Sequence, residues 1–589
     1  MGECPGLAGT PARWAARSFC RAATPPTRPQ RLEPRERMSM STARKNAWCV
    51  VGLCVLTAAA FYPFLFNGYT ATDTLPLIYS TRINSVEDLV SVISLPIMSD
   101  AGFSAGFYRP VSLLSFSLDQ AIWGELPFGY HLTDILLHLV CVLLVYSIAR
   151  ILAFDSAVAF VSAALFALHP LVMEVVPAIA RRQDTLACLG MMLTFVFFLK
   201  WFSRGGLDHC SGQRPPLGVQ GFSVGPAPPR LKPWTAARSG RNDDQGPRGR
   251  GYALLLLSSL CYFLSLASKE VNVLFPAVLA VYTVLFCGGD KDYKAKYVCL
   301  AKAMPAYALV LALYLAMRFV VIGGVGGYHN SFELWRLKYT ILNYLPNLFY
   351  PQDFFAILPE NRNDDPVLVL LNIICVSIIL YIGYIAKKNG DLRVLVVLLS
   401  WLLSPLIILM VTGTSDLRSY YAAIVPFSLA IGYGSIQSVR LCAASRNDGG
   451  LRYYAAGVGS SLLSALSLSI IIYSPLFFSY SHWKLSAQIV AMTLDAVEDI
   501  VRAQGNNGIE VIDIYGIPSL RQAFSRRIPH PRSVSYLNDY VIYSYLKKRG
   551  YTLDVGELSY DKVGEGFKID RVDAARAGRT LTVRFLAKP

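Results

Sequence analysis

The sequence predicts a membrane all-α protein, a polytopic bundle of about eleven spans, with a small α/β domain after it. Three observations predict it. Of 589 residues, 54% are hydrophobic and 16% are charged, whereas a soluble chain carries about a quarter charged. The apolar residues come in blocks of about twenty, the length that crosses the roughly 30 Å hydrocarbon core. The cations between the blocks alternate between rich and poor loops, as membrane topology requires.

Taken in order, residues 1–46 are rich in Arg, Pro and Ala and lack an apolar period, so they are expected to be disordered. Met38 and Met40 both precede the first apolar run, and either fits a start site. That run, 47–66, has no small-residue exit and reads as a retained anchor rather than a cleaved signal. Further spans are expected near 132–153, 157–170, 183–202, 251–268, 271–287, 304–322, 367–386, 394–412, 420–439 and 453–478. These make a membrane domain over 47–479, with a long first outside loop at 67–131 and a Gly/Pro/Arg-rich, disordered inside loop at 203–250. Residues 332–350 are amphipathic and fit an interfacial helix or a twelfth span. Residues 480–589 read as α/β, with helices near 484–504 and 535–549 and strands at Ile509–Tyr515 and Thr580–Phe585.

With the N-terminus in the cytoplasm, the inside loops hold Arg150, the cations from Arg204 to Arg250, Lys291, Lys294, Lys296, Lys302, Lys387, Lys388, Arg393, Arg440, Arg446 and Arg452. The outside loops hold only scattered cations, and an odd span count puts the C-terminal domain outside. The net charge of +16 is therefore topological, and no nucleic-acid partner is inferred. Twelve cysteines show no CxxC pair and no Cys–His metal spacing, so neither zinc nor a disulfide scaffold is expected.

Polar signals gather in the segments assigned to the outside. Asp73 lies just past the first span, where a carboxylate can accept a proton from a hydroxyl; the position also fits an Asp that caps a turn. His131, Asp134 and His138 share one face of the second span and fit a hydrogen-bonded packing cluster better than a metal site. His169, Glu174, Arg182 and Asp184 join the third and fourth spans. Lys269 and Glu270 sit in a tight hairpin between the fifth and sixth, and Asp416 and Arg418 open the tenth. Each fits an ion pair between helices. Together Arg109, Arg182, Lys269 and Arg418 form a cationic set on one face, suited to a lipid phosphate.

Several of these residues fall in longer motifs. Phe107-Tyr-Arg109-Pro-Val-Ser-Leu-Leu-Ser-Phe116 is followed by Pro127-Phe-Gly-Tyr-His131-Leu-Thr-Asp134-Ile-Leu-Leu-His138, then Phe166-Ala-Leu-His169-Pro-Leu-Val-Met-Glu174, Arg182-Gln-Asp184 and Ser268-Lys269-Glu270-Val-Asn. In this order they resemble the transmembrane and tetratricopeptide-repeat-containing O-mannosyltransferases and their prokaryotic relatives, well over 60–290 and loosely over 300–440. The resemblance implies the GT-C helical bundle and a polyprenyl-phosphate-sugar donor. It implies an acidic base in the first outside loop, a place that Asp73 occupies. The family often has two adjacent acids there, and here Thr74 follows Asp73. The tetratricopeptide repeats are absent.

The resulting expectation is an inverting transferase that moves a mannose-like hexose to an acceptor hydroxyl on protein, lipid or surface glycan. Its partners are the lipid-linked donor, the acceptor and membrane lipid. No organic cofactor is indicated, and a divalent cation is left open. The membrane is the plasma membrane in a prokaryote or the endoplasmic reticulum in a eukaryote. The rival from another class is a lipid or glycan transporter. Transporter folds show internal repeats and midplane polar sites, and neither is evident in the sequence.

Overall fold

The computed structural model describes residues 34–69, 73–97, 106–203, 249–288, 292–324, 334–349, 365–412, 417–445, 457–468, 479–505, 508–519, 539–562 and 568–588. The expectations for the far N-terminus, for most of the 203–250 loop and for Asp416 lie outside the described residues. The chain divides into two compact units, Met1–Trp48 and Cys49–Pro589, and apart from the start of the first helix everything discussed below lies in the second.

Helix α1 runs Pro34–Phe61, so it begins ahead of the expected Ala47. Arg, Met, Glu and Lys in that stretch are good helix formers and extend the apolar run backwards. A 3-10 turn, Tyr62–Phe66, ends it. Three helices then build the first loop: α2 Thr74–Ser80, α3 Val86–Ser94 and α4 Pro110–Trp123. Ser85 and Asp88 form a reciprocal capping box on α3. Pro110 starts α4 at the position where its missing N–H costs nothing.

The bundle follows: α5 Pro127–Ile151, α6 Ser156–Leu168, α7 Arg182–Ser203, α8 Gly249–Ser268, α9 Phe275–Phe286 and α10 Tyr293–Ile322. Next come α11 Leu334–Phe349, α12 Asp365–Asn389, α13 Leu392–Thr412, α14 Tyr421–Ser445 and α15 Gly457–Leu468. Among the described residues, eight helices are long and apolar enough to cross a membrane. Three shorter apolar helices, Tyr252–Ser268, Glu270–Phe286 and Gly457–Leu468, stand where further spans were expected. Apolar side chains on the outer faces are exposed, Val320 at 82% and Leu309 at 72%, as lipid contact permits. The chain is a multi-pass membrane protein.

Lipid is as apolar as leucine, so these helices associate through close packing and hydrogen bonds rather than hydrophobic burial. The sequence supplies small residues at the crossings. A Cβ on Gly190 of α7 would come within 2.9 Å of the Ser265 backbone on α8. Beside that contact Ser265 Oγ donates to Ala187 O at 2.7 Å, and Ser258 Oγ donates to Thr194 O at 2.7 Å. Gly432 of α14 is pressed equally close to Ser162 of α6. Within the amphipathic 332–350 segment, Leu334–Phe349 is helix α11. Its buried residues Thr340, Asn343, Tyr344, Asn347 and Leu348 recur at helical spacing, and Tyr344 and Leu348 join the bundle core.

The sulfurs of Cys287 and Cys299 are joined between the end of α9 and α10. No spacing in the sequence pointed to this pairing, and one link does not make a scaffold.

The C-terminal region contains α16 Ser479–Gln504, β1 Val511–Ser519, α17 Asp539–Lys548, β2 Asp554–Lys562, β3 Lys568–Ala577 and β4 Thr580–Lys588. The sheet order is β2-β1-β4-β3. β1 pairs parallel with β2 and β4, and β3 pairs antiparallel with β4. The sequence showed the two central strands, whose Ile512, Ile514, Leu581, Val583 and Phe585 alternate inward. It missed β2 and β3. Both are charge-rich edge strands, the composition that blunts an open sheet edge and hides the apolar period.

Candidate functional site

The helix ends decide where the polar residues meet. Asp134 and His131 lie near the N-terminal end of α5, and Arg182 and Asp184 at that of α7; Lys269 follows the C-terminal end of α8, and Arg318 is one turn from that of α10. In an antiparallel bundle these ends share one side. Close contact of α7 with α8 sets Lys269 Nζ on Asp184 Oδ1. The neighbouring Glu270 carboxylate takes a two-pronged contact from Arg109, with Nη2 at 2.8 Å from Oε1 and Nε at 3.2 Å from Oε2. Arg318 Nη1 approaches the same carboxylate at 3.8 Å and donates to Tyr314 OH at 3.3 Å. Burial works against the charge on Arg109, but the Glu270 carboxylate outweighs it and holds the guanidinium pKa above its ordinary value. One carboxylate thus contacts two guanidiniums.

Asp73 occupies the N-cap position of α2, yet its side chain makes no capping hydrogen bond. Its Oδ2 lies 3.3 Å from Arg181 Nη1 instead. The Asp73 side chain is 22% exposed and that of Arg181 is 9% exposed. The buried Nε of Arg181 has no hydrogen-bond partner. The Asp73–Arg181 pair, the Asp184–Lys269 pair and the Arg109–Glu270–Arg318 cluster follow one another at one end of the helices, linked by contact or by neighbouring chain positions.

Arg182, expected with the phosphate cations, has a different setting. Its side chain is fully enclosed, with Asp134 at 2.6 Å from Nε and Asp119 at 2.6 Å from Nη2. Nη1 and Nη2 also donate to the carbonyls of Ser115 and Tyr130, each at 3.2 Å, and the Phe116 ring lies 4.5 Å from the guanidinium. Enclosed by these partners, it braces α4, α5 and α7 together.

The three histidines are also held internally. His131 Nε2 lies 3.2 Å from Gly68 O. His138 donates from Nε2 to Ala167 O at 3.2 Å and accepts at Nδ1 from Tyr421 OH at 2.7 Å. His169 donates to Leu348 O at 2.8 Å and accepts from Leu171 N–H at 3.3 Å, tying the third span to α11. Glu174 is buried at the end of the 3-10 turn Pro170–Glu174. Arg418 is half-buried in the turn before α14. Among the described residues no group of three or more His, Cys, Asp or Glu is arranged to hold a metal ion.

Two residues of the run, Arg181 and Arg318, were absent from the sequence candidates. Arg318 had a signal: a lone cation inside an apolar span marks function by default. Arg181 had only its neighbour, and nothing in the sequence says which of two adjacent arginines turns to Asp73.

Fold and geometry define a multi-pass membrane protein with a run of charged groups gathered at one end of its helices and an α/β region beside it. In sequence the chain resembles a family of membrane mannosyltransferases. It is 38% identical over 107 residues to the protein O-mannosyl-transferase TMTC1 of Mus musculus, covering 18% of this chain and 11% of that protein. It is 32% identical over 177 residues to TMTC2 of Homo sapiens, covering 30% and 16%. It is 28% identical over 169 residues to Tmtc1 of Drosophila melanogaster, covering 28% and 19%. The matched part is therefore less than a fifth of each relative's length. No protein-family model matches the chain. Among solved structures, the oligosaccharyltransferase of Archaeoglobus fulgidus aligns with a TM-score of 0.42 at 12% identity, covering 74% of this chain and 56% of that one. A score of that size does not establish a shared fold.

Proposed function

We propose that this chain is a GT-C-type membrane transferase that moves a mannose-like hexose from a polyprenyl-phosphate-sugar to an acceptor hydroxyl on protein, lipid or surface glycan. The observation that carries the reading is the orientation of Asp73. Its carboxylate is turned from the helix it begins toward Arg181, partly exposed, at one end of the charged run. The named activity of the relatives supports the same chemistry.

In this reading Asp73 takes the proton of the acceptor hydroxyl while that oxygen bonds to the anomeric carbon. The bond from that carbon to the phosphate oxygen breaks, and polyprenyl phosphate departs with the electron pair and one more negative charge. Attack opposite the leaving group inverts the centre. Fixed cations aimed at the growing charge lower the barrier. Arg109 and Arg318 both approach the Glu270 carboxylate, and in this reading they face the departing phosphate. Lys269 lies beside them and Arg418 completes the expected set. Arg181 orients the Asp73 carboxylate through their ion pair. All of these steps use the chain's own groups. The lipid donor explains why the cations sit at helix ends. The reading places the N-terminus in the cytoplasm and the α/β region on the opposite side.

The test is to incubate purified protein with a panel of polyprenyl-phosphate sugars and measure released polyprenyl phosphate. Release with one donor, lost in Asp73→Asn, supports the reading. Silence with mannose, glucose and arabinose donors overturns it in favour of a transporter.

A further inference from the structure

Helix α2 is only seven residues long, Thr74–Ser80, and Asp73 is its N-cap. Too short to be stable alone, it is held by two cores at once. Leu77 and Ile78 pack with Phe107, Phe116, Tyr130, Ile179 and Ala180, the loop core that leads into Arg181. Leu75 belongs instead to the C-terminal core, with Val497, Ile542 and Leu546, and Tyr79 packs against that core from the same face.

Polar contacts follow the same line. Arg549, just past α17, lies close to the Tyr79 hydroxyl. Arg549 is fixed in turn by Glu498 Oε2 at 3.3 Å and by the Tyr545 ring at 4.5 Å, while Tyr545 OH donates to the same oxygen at 2.7 Å. Lys548 reaches Glu125 at 3.6 Å and lies 5.6 Å from the centre of the Tyr79 ring. The α/β region therefore grips the helix that begins at Asp73, through groups prearranged within that region.

We propose that the C-terminal region is a positioning element for Asp73, and that Arg549, braced by Glu498 and clasping Tyr79, is its positioning residue. The proposal rests on the transferase reading for its consequence, but the clasp is testable without it. When Arg549 is removed, α2 keeps its apolar contacts and loses the polar tie that fixes its angle. Asp73 then spends less time facing Arg181 and the acceptor. Misplacement by about 1 Å costs about a hundredfold at worst in rate, and a loosened helix costs less than that.

The experiment compares full-length wild type, Arg549→Ala, Arg549→Lys and Tyr79→Phe. Arg571→Ala on the edge strand β3 is the control, since Arg571 pairs only locally with Asp573. Amide hydrogen exchange is read at residues 74–80 and at 539–548. Arg549→Ala is expected to raise exchange in 74–80 at least fivefold and to leave 539–548 unchanged. Arg549→Lys restores most of the protection, Tyr79→Phe behaves like Arg549→Ala, and the control changes neither segment. Unchanged exchange at 74–80 in Arg549→Ala overturns the clasp. Equal loss at 539–548 overturns it too, because the variant has then only unfolded its own region.

Turnover is read in parallel with the donor found active. Arg549→Ala is expected to lower kcat about tenfold with the donor KM within twofold, and Arg549→Lys to recover at least half. Normal kcat despite loosened α2 overturns the positioning role. Absence of turnover in wild type sinks the transferase reading and with it that role, while the exchange data still decide the clasp.

Discussion

Arg182 and the Asp73–Arg181 pair begin one residue apart on the chain and differ in everything around them. Arg182 meets two carboxylates and two carbonyls with no exposure. Arg181 meets one carboxylate, Asp73, that remains partly open, and keeps a buried donor without a hydrogen bond. An ion cluster with its cation fully enclosed by acids and carbonyls fits a strut. A buried charge whose partner stays partly exposed is what the proposed site needs. Residue type does not separate the two; the enclosure of the cation and the exposure of its partner do.

Four experiments break or sharpen this contrast. The largest effect is expected from Arg182→Ala, which strands Asp119 and Asp134 in a dry interior at a cost of about 3–5 kcal/mol. The variant should fail to give a monodisperse, cooperatively melting protein in detergent, and a wild-type melt would show that Arg182 is no strut. Asp73→Asn comes next. Folding should be unaffected and transfer should fall at least about a hundredfold, the usual scale for a removed general base. Full activity in this variant removes Asp73 from the chemistry.

Arg318→Met is expected to raise the donor KM or lower kcat by about tenfold, or about 1.4 kcal/mol, since Arg109 still holds Glu270. Kinetics like those of wild type would make Arg318 a packing residue. The smallest effect concerns pH and Glu498. Burial opposes its charge, but the Tyr545 hydroxyl, Arg549 and Arg502 outweigh burial and hold its carboxyl below the ordinary 4.5. A folded pKa depressed in this way stabilises the C-terminal region above about 4.5, and that stability is lost as pH falls through the lowered value. The melting temperature of wild type should fall more steeply than that of Glu498→Gln below pH 5. Parallel curves would mean that Glu498 is not held in its charged form.

Much of the bundle was legible because lipid imposes a simple rule. A helix that must satisfy its own backbone in hydrocarbon needs about twenty apolar residues, and such runs are visible one at a time. The positions of Asp73, Arg109, Lys269 and Glu270 were legible as charges that apolar surroundings do not accept without reason. The edge strands β2 and β3 were not, because an edge is protected by the charges that erase its period. The first three turns of α1 were not, because Arg and Pro composition reads as disorder while its Met, Glu and Lys sustain a helix.

By itself the sequence determined that this protein lives in a membrane and that charged residues such as Asp184 and Lys269 stand at the ends of its helices. Both follow from local composition measured against the thickness of hydrocarbon. Only the tertiary structure decided which charge meets which: that Arg182 is locked between two acids, that Arg181 turns to Asp73, and that the far end of the chain grips the helix beginning there. Such pairings depend on side-chain direction and on contacts between residues hundreds of positions apart, and no window of sequence contains them.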